Sequence, residues 1–269
     1  MKLPNYIEIE TSRFCNRTCK WCPNDVLMNR RKQELLPWTL FEKIVRELSR
    51  YDYSGWLAFH NYNEPLTNAR IVTELLHVHK YLPDAQTTIY TNGDLLSESL
   101  YASLSRACLS QMRVTLYPKD ESEWKASRMR IEAWLERNPY LLERPWTSTN
   151  VRQGLAYHSD GKPEILIISP EIDLYYDRGG TIPWLSISER TFPCFLTSNS
   201  LSVDYLGNIK MCCNVVTGEP SHERYFLGNV KDLDLIKVWN SDRFEAIRKL
   251  HLVANWSTTE ICRTCRQKL

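Results

Sequence analysis

Three cysteines lie close together near the start of the chain: Cys15, Cys19 and Cys22. A tight loop with three thiolates can bind three irons of a 4Fe–4S cube, which leaves the fourth iron open to a small molecule. A structural zinc site is the alternative, but it needs a fourth protein ligand, and His60 is the one other candidate nearby. The spacing therefore favours an iron–sulfur cluster with an open iron.

Four more cysteines form a second group towards the other end of the chain: Cys194, Cys212, Cys262 and Cys265. Clustered thiols in a reduced compartment are typically metal ligands or catalytic groups, because disulfides do not persist there. On spacing alone, a four-cysteine zinc site and an iron–sulfur cluster both fit this set. Cys108 stands apart on a predicted helix, and we expect it in the core.

Strand-like and helix-like segments alternate over the first two-thirds of the chain and must position these groups. Strands are predicted at residues 6–10, 56–60, 87–90, 112–117 and 165–168. Such alternation is typical of βαβ units with a parallel sheet, in which the chemistry lies at the carboxyl ends of the strands. We predict an α/β fold, an incomplete TIM-type βα barrel, over residues 1–185. A polar helix is predicted over residues 121–137, and residues 138–162, which lack periodicity, are predicted to be a loop that covers the substrate.

The pattern changes after residue 185. A β-hairpin is predicted at 201–211, turning at Gly207-Asn208, and a single amphipathic helix at 234–250 before the last two cysteines. This is too little for an independent core. We therefore predict a small C-terminal β-hairpin/helix iron–sulfur domain over residues 186–269, held together by its metal centre.

The composition excludes several classes of function. The chain has 269 residues, 43% of them hydrophobic, with 34 Lys and Arg against 32 Asp and Glu. A formal net charge of +2 provides no electrostatic footprint for nucleic acid. The sequence contains no apolar run of the ~20 residues that a membrane-spanning helix needs, and its start lacks the apolar core of a secretory signal. We expect a cytoplasmic protein that acts on small molecules.

The cysteine loop after the first strand resembles that of the radical S-adenosylmethionine (SAM) superfamily. This resemblance implies that the open iron binds SAM, and that electron transfer cleaves SAM to methionine and a 5′-deoxyadenosyl radical, which abstracts a hydrogen atom from the substrate. The need for a low-potential electron predicts an external reductant such as a flavodoxin or ferredoxin. The SAM contacts that the resemblance implies are Trp21, Tyr62, Asn63, Glu64, Tyr90, Thr91, Asn92, Leu116 and Tyr117. Of the family's Gly-Gly-Glu-Pro motif, only Glu64 and Pro65 are retained.

The C-terminal part resembles the short auxiliary-cluster domain called twitch, a truncated SPASM domain. The segments Leu227-Gly228-Asn229-Val230 and Val238-Trp239-Asn240 carry this resemblance, with Phe244 and Arg248. It implies that the four distal cysteines bind a second 4Fe–4S cluster near the substrate.

Within the superfamily, nearly the whole chain resembles the alcohol dehydrogenases of natural-product biosynthesis. This resemblance implies oxidation of a secondary alcohol on a sugar, cyclitol or similar polar metabolite, with Arg178 in contact with the substrate. Hydrogen abstraction at a carbinol carbon leaves a ketyl-type radical. That radical becomes a ketone by losing a proton and an electron, and the auxiliary cluster is the expected electron acceptor.

Three alternatives remain open at this stage. Adjacent strand residues face opposite sides, so Cys213 is expected to face the substrate if Cys212 binds the cluster. Its thiol could then donate a hydrogen atom to the substrate radical, which would make the protein an epimerase, or it could be an inert buried cysteine. The other two alternatives are modification of a ribosomal peptide and electron transfer by a two-cluster carrier without enzymatic activity.

Overall fold

The computed structural model describes residues 1–27, 32–118, 127–151, 154–170, 175–185 and 188–267, and one sheet of ten strands runs through this part of the chain. The strands are β1 (Tyr6–Ile9), β2 (Trp56–Ala58), β3 (Gln86–Thr91), β4 (Gln111–Thr115), β5 (Trp146–Val151), β6 (Gly154–Ser159), β7 (Glu164–Ser169), β8 (Ser200–Val203), β9 (Asn208–Lys210) and β10 (Phe226–Asn229). The α-helices are α1 (Pro23–Val26), α2 (Trp38–Ser49), α3 (Ile71–Tyr81), α4 (Glu98–Arg106), α5 (Ser127–Glu136), α6 (Leu196–Asn199), α7 (Leu235–Trp239) and α8 (Asp242–Leu252).

The centre of the sheet is parallel. In space the strands follow the order β10-β9-β8-β1-β2-β3-β4-β7-β6-β5. The neighbours from β8 to β7 run parallel, and antiparallel strands extend the sheet at both edges. The prediction of an α/β fold built on a parallel sheet is confirmed.

The two faces of the sheet differ in polarity. On β1, Ile7 and Ile9 are fully buried in the apolar core, which also contains Phe41 and Leu48 of α2. Glu8 alternates with them and is also buried, although it points to the opposite face. We call the face to which Glu8 points the inner face of the sheet. Strands of a parallel sheet are normally apolar on both sides, so a charged residue on this face points to a ligand site.

The prediction of a loop over residues 138–162 is wrong. These residues contain β5 and β6, an antiparallel hairpin that pairs with the free edge of β7. On β5, Thr147 and Ser148 are exposed. An edge strand with polar, solvated side chains has no hydrophobic period, so the pattern that identifies strands is missing. The predicted helix over 121–137 exists as α5 from Ser127, and its proposed start lies outside the described residues.

Three further local predictions need correction. The single helix predicted at 234–250 is two helices, α7 and α8, because Ser241 caps the second one: its hydroxyl accepts a hydrogen bond from the backbone N–H of Phe244. Cys108 is exposed rather than in the core. It lies beyond the end of α4, where the chain turns with a positive φ of 61° at this residue. Cys212 and Cys213 lie in the turn after β9, which ends at Lys210, rather than on the strand.

The C-terminal hairpin is continuous with the main sheet. β8 pairs in parallel with β1 over four residues, from Tyr6 opposite Ser200 to Ile9 opposite Val203. The buried Glu47 carboxylate on α2 also accepts hydrogen bonds from the first backbone N–H groups of α7. Sheet pairing therefore fixes the hairpin, and the Glu47 cap fixes α7, in addition to any metal centre. In the described part of the chain, every helix is too short or too polar to span a bilayer.

Candidate active site

The first three cysteines lie in the loop between β1 and α1, and each is partly buried. Burial, together with the nearby Cys22, raises the pKa of Cys15 and of Cys19 to about 12. The three thiols are therefore close enough to oppose one another's ionisation. Thiolates at this point need compensating positive charge, which the irons of a cluster would supply, so the donor set fits such a group.

Hydrogen bonds connect this loop to the loops after β2 and β3. The Arg17 guanidinium forms a bidentate ion pair with Asp94, and the Asn92 side-chain amide donates to Oδ1 of Asn16 at 2.8 Å. The backbone N–H of Glu64 donates to the Phe14 carbonyl at 2.9 Å. The carboxyl ends of the first three strands therefore form one connected rim.

Glu64 is the centre of this rim. Its buried carboxylate accepts hydrogen bonds from the Leu66 N–H at 3.0 Å, the Thr91 hydroxyl at 2.6 Å and the Asn92 N–H at 2.7 Å. Burial raises its pKa, and these three donors oppose that rise. Tyr62 and Asn63, which stand where the family has glycines, adopt ordinary negative φ angles, so the backbone accepts side chains there. Glu64, after β2, is thus in direct contact with Thr91 and Asn92 at the end of β3, as the sequence predicted.

An aromatic group borders the cysteine loop. The ring centroid of Trp21 lies 6.2 Å from that of Tyr117 and 6.0 Å from that of Tyr175. Tyr117 and the buried Leu116 follow β4, and the Tyr117 phenol is close enough to Cys19 for that thiol to affect its pKa. Flat rings beside the cysteines are suited to stacking an adenine. Sequence reasoning missed Tyr175, although it belongs to a Tyr-Tyr pair just before Arg178-Gly179-Gly180.

Tyr90 and His60 form a stacked pair on the inner side of the sheet. Their ring centroids are 3.8 Å apart, and the backbone N–H of Tyr90 donates to Nδ1 of His60 at 3.1 Å. Burial, together with the charge of Arg113, lowers the pKa of His60 to about 3. His60 is therefore neutral, with its proton on Nε2, and is a packed histidine rather than a base at neutral pH.

The second cysteine group is assembled from three segments: the turn before α6, the turn after β9 and the C-terminal pair. Burial raises the pKa of Cys212 far above its usual range, and Cys262, Cys194 and Cys265 each add to the rise. The buried Arg190 holds these segments by donating to the carbonyls of Cys265, Phe192 and Pro193. The four predicted ligands are thus brought together.

The arrangement of the thiols favours a cluster over zinc. A mononuclear zinc site needs its ligands about 2.3 Å from a single point. Among the described residues, no group of three His, Cys, Asp or Glu side chains is arranged to hold one metal ion. A multinuclear cluster accepts thiolates that are further apart, so both cysteine groups fit iron–sulfur clusters better than zinc.

Arg178 lies between the two cysteine groups. Its charge interacts with Cys22 of the first group and with Cys213 beside the second. Its guanidinium Nη1 donates to the Tyr176 hydroxyl at 3.2 Å, and that hydroxyl is 3.5 Å from Sγ of Cys265. Arg178 has a φ of 53°, a strained value for a residue with a side chain, of the kind that clusters at functional sites.

Cys213 directly follows Cys212, and after burial its thiol is the largest cause of the raised pKa of Cys212. The charged groups that influence the Cys213 thiol are Glu8, Arg178 and Lys210, together with Cys265, and burial raises its pKa to about 12. The thiol therefore stays protonated, and Glu8 and Lys210, which influence it, belong to strands β1 and β9. That Cys213 faces the substrate stays a prediction.

Two family models match the chain. The model of the radical SAM superfamily matches residues 9–129, and that of SPASM, an iron–sulfur cluster-binding domain, matches residues 194–266. The S-adenosyl-L-methionine-dependent 2-deoxy-scyllo-inosamine dehydrogenase of Niallia circulans is 26% identical over 265 residues, which cover 98% of this chain and 93% of that protein. The recognition of a radical SAM domain followed by an auxiliary-cluster domain is confirmed.

Solved structures show the same fold. The crystal structure of BtrN in complex with AdoMet and 2-DOIA has a TM-score of 0.74 at 22% identity, covering 99% of this chain and 94% of that one. The structure of anSMEcpe with bound AdoMet has a TM-score of 0.55 at 13% identity, covering 91% of this chain and 83% of that one. The predicted partial barrel with a C-terminal iron–sulfur domain agrees with these structures.

Proposed function

We propose that this chain, a radical SAM enzyme with a C-terminal SPASM iron–sulfur domain, oxidises a secondary alcohol of a sugar- or cyclitol-like metabolite to a ketone. The single observation that carries the proposal is the position of Arg178 and Tyr176 between two groups of cysteines. A substrate beside Arg178 would be in reach of both centres. The relative from Niallia circulans, a dehydrogenase of 2-deoxy-scyllo-inosamine by name, supports an alcohol as the reacting group.

Cys15, Cys19 and Cys22 would hold the SAM-binding 4Fe–4S cluster, and Cys194, Cys212, Cys262 and Cys265 the auxiliary one. When bound, the first cluster and SAM supply a 5′-deoxyadenosyl radical that takes a hydrogen atom from the substrate, while the second accepts an electron. We assign SAM contacts to Trp21, Tyr62, Asn63, Glu64, Tyr90, Thr91, Asn92, Leu116 and Tyr117. Glu64 keeps the loops after β2 and β3 in register through the three hydrogen bonds that its carboxylate accepts.

Arg178 would orient the substrate. Its guanidinium carries five donors in a rigid plane, of which one is used by Tyr176. The others can donate to hydroxyl oxygens of a polyol. Its strained backbone, stabilised by the hydrogen bond from the Ile182 N–H to the Asp177 carbonyl at 2.8 Å, presents that plane between the two centres.

The test is turnover by the reconstituted enzyme under anaerobic conditions. Protein is incubated with SAM, dithionite and a panel of polyols that includes 2-deoxy-scyllo-inosamine, and the products are analysed by mass spectrometry. We expect one equivalent of 5′-deoxyadenosine for each product, and a product lighter by two hydrogens. If 5′-deoxyadenosine is formed while no polyol of the panel loses two hydrogens, the proposal is wrong.

A second candidate function rests on Cys213, whose thiol is buried and protonated and lies near the charges of Glu8 and Arg178. As a hydrogen-atom donor it would make the enzyme a radical epimerase. Turnover in heavy water distinguishes the two reactions, because an epimerised product keeps its mass apart from one deuterium at the inverted carbon. Replacing Cys213 by Ala abolishes epimerisation but leaves an oxidation intact. Modification of a ribosomal peptide would instead require turnover of a peptide.

The proposal includes a cellular context. A low-potential electron must reach the first cluster, and a flavodoxin or ferredoxin is the class of protein that supplies it. Seven free thiols committed to metal binding are compatible with the reducing cytoplasm, where we place the enzyme.

A further inference from the structure

The inner face of the sheet carries two buried charged side chains, Glu8 and Lys210, to which the proposed function has so far given no role. Glu8 of β1 pairs with Ser202 of β8, and Ser202 pairs with Lys210 of β9. Residues in register project to the same face, so the three side chains form one row across neighbouring strands. Glu8 and Lys210 are two strands apart, about 10 Å between backbones. Ser202 lies between them in this row, and the Asn61 side-chain amide contacts both the Ser202 hydroxyl and the Glu8 carboxylate.

Lys210 is buried without a hydrogen-bond partner. The residue is 0% exposed, and its ammonium group has no such partner among the described residues. Its nearest ring is that of Tyr62, with a centroid 6.0 Å away. A buried ammonium group with three unused donors is costly unless a ligand satisfies it.

Glu8 is held by hydrogen bonds at one of its two carboxylate oxygens. Oε1 accepts hydrogen bonds from the Asn61 side-chain amide and from the Ser202 hydroxyl, the latter at 3.2 Å. Oε2 lies 3.8 Å from Nε2 of the neutral His60 and can accept a further hydrogen bond from a ligand. Burial raises the pKa of Glu8 to about 7, which suits a group that must gain and lose a proton near neutrality.

Other unsatisfied groups border the same space. Buried atoms without a hydrogen-bond partner include Oδ1 of Asn61, Nε of Arg178 and Nδ2 of Asn214. The Cys213 thiol is close enough to Glu8, Arg178 and Lys210 for the charge of each to affect its pKa. The titratable or charged groups facing Glu8 are Tyr6, Glu10, His60, Lys210 and Cys213.

We propose that Glu8 and Lys210 hold the hydroxyl group that is oxidised, with the Glu8 carboxylate accepting its proton and the Lys210 ammonium group donating to its oxygen. A hydroxyl is both donor and acceptor, so it can bridge a carboxylate and an ammonium group that do not touch each other. This inference rests on the proposed alcohol oxidation. The carbon-bound hydrogen atom leaves with the 5′-deoxyadenosyl radical, the hydroxyl proton goes to Glu8, and the remaining electron goes to the auxiliary cluster. The alcohol thereby becomes a ketone, and Glu8 releases its proton to solvent.

The first test separates hydrogen abstraction from proton loss. Reconstituted E8Q is incubated with SAM, dithionite and 2-deoxy-scyllo-inosamine as the probe, beside wild type. Gln keeps the acceptor for Asn61 but cannot take the proton. We expect E8Q to form 5′-deoxyadenosine at a rate within about threefold of wild type. The amount of ketone formed for each molecule of 5′-deoxyadenosine should fall by about tenfold or more. Ketone formation by wild type should rise as the pH passes through about 7, and this rise should be absent in E8Q.

The second test measures binding without turnover. Calorimetric titration of the SAM-loaded enzyme with the same probe, in the absence of reductant, should show about tenfold weaker binding for K210M, because a donor to the hydroxyl oxygen is lost. The matched controls are E74Q, a buried glutamate on α3, and K43M, a lysine on α2 that donates to backbone carbonyls. Both controls should bind the probe like wild type.

The outcomes distinguish this inference from the function on which it rests. If wild type oxidises the probe and E8Q yields ketone and 5′-deoxyadenosine in the wild-type ratio, the proton-accepting role of Glu8 is refuted while the oxidation stands. Unchanged binding by K210M likewise refutes the role of Lys210. A wild-type enzyme that neither binds nor oxidises the probe refutes both the pair and the proposed function for aminocyclitols.

Discussion

At the scale of single residues, the site depends on carboxylates buried at the ends of strands. Glu64 and Glu8 are both removed from water, but their environments differ. The Glu64 oxygens accept hydrogen bonds from the two adjoining loops, whereas Glu8 lies in register with Ser202 and Lys210. We therefore expect Glu64 to act on structure and SAM binding, and Glu8 to act on the substrate.

Replacing Glu64 by Gln should destabilise the protein. An amide nitrogen cannot accept the hydrogen bond from the Asn92 N–H, so at least one buried donor is left unsatisfied. We expect the free energy of unfolding to fall by about 2 kcal/mol, measured by urea denaturation under anaerobic conditions. SAM binding should weaken in parallel. Glu98→Gln, at an exposed position on α4, should leave both quantities unchanged, and equal stability of the two variants would contradict this role.

The raised pKa of Glu8 predicts a pH-dependent stability. Because folding raises the pKa of this carboxyl from 4.5 to about 7, the folded state binds its proton more tightly than the unfolded state does. Its contribution to stability is therefore greatest below pH 4.5 and is lost as the pH rises to about 7. Glu8→Gln removes this loss, so the variant should gain up to about 3 kcal/mol relative to wild type between pH 4 and pH 8. Urea denaturation at several pH values measures the difference, and a constant difference would contradict the raised pKa.

At the scale of elements, the contact between α2 and α7 joins the N-terminal part of the chain to its C-terminal part. Glu47 is 2% exposed and accepts from the backbone N–H groups of Leu235 and Ile236 at 2.9 and 2.8 Å. A carboxylate at a helix N-terminus satisfies donors that have no partner within the helix and interacts favourably with its dipole.

Glu47→Ala should therefore cost about 3 kcal/mol of stability, since two buried N–H groups lose their acceptor. The matched control is Glu42→Ala on the same helix, which removes an exposed ion pair with Arg46. Such a pair contributes about 0–1 kcal/mol. Thermal denaturation of both variants measures the contrast, and similar losses would show that the cap contributes nothing specific.

At the scale of the whole molecule, the sheet carries the C-terminal hairpin. β8 and β9 extend the parallel sheet beside β1, and Leu201, Val203 and Ile209 of these strands belong to the common core. By contrast, the segment with Cys262 and Cys265 is a short 3₁₀ helix and a turn. The hairpin thus depends mainly on packing, and the C-terminal segment depends more on its metal.

Removal of iron by a chelator should reveal this difference. We expect the amides of β8 to keep their hydrogen-exchange protection, while the amides around Cys262 lose theirs. Exchange followed by mass spectrometry measures both segments in one sample, and β1 is the internal control. Loss of protection throughout β8 and β9 would show that the metal holds the hairpin, as the sequence alone suggests.

The chemistry and the fold class were determined by the sequence itself. The spacing from Cys15 to Cys22 and the alternation of strand-like and helix-like segments are local properties of the chain, so both can be read without coordinates. Edge strands such as β5 cannot be recognised in this way, because their exposed polar side chains follow no hydrophobic period. What only the tertiary structure decided is which distant residues meet: Glu8 with Lys210 across Ser202, and Arg178 between the two cysteine groups. The register of strands far apart in sequence sets these contacts, and local residue patterns do not encode that register.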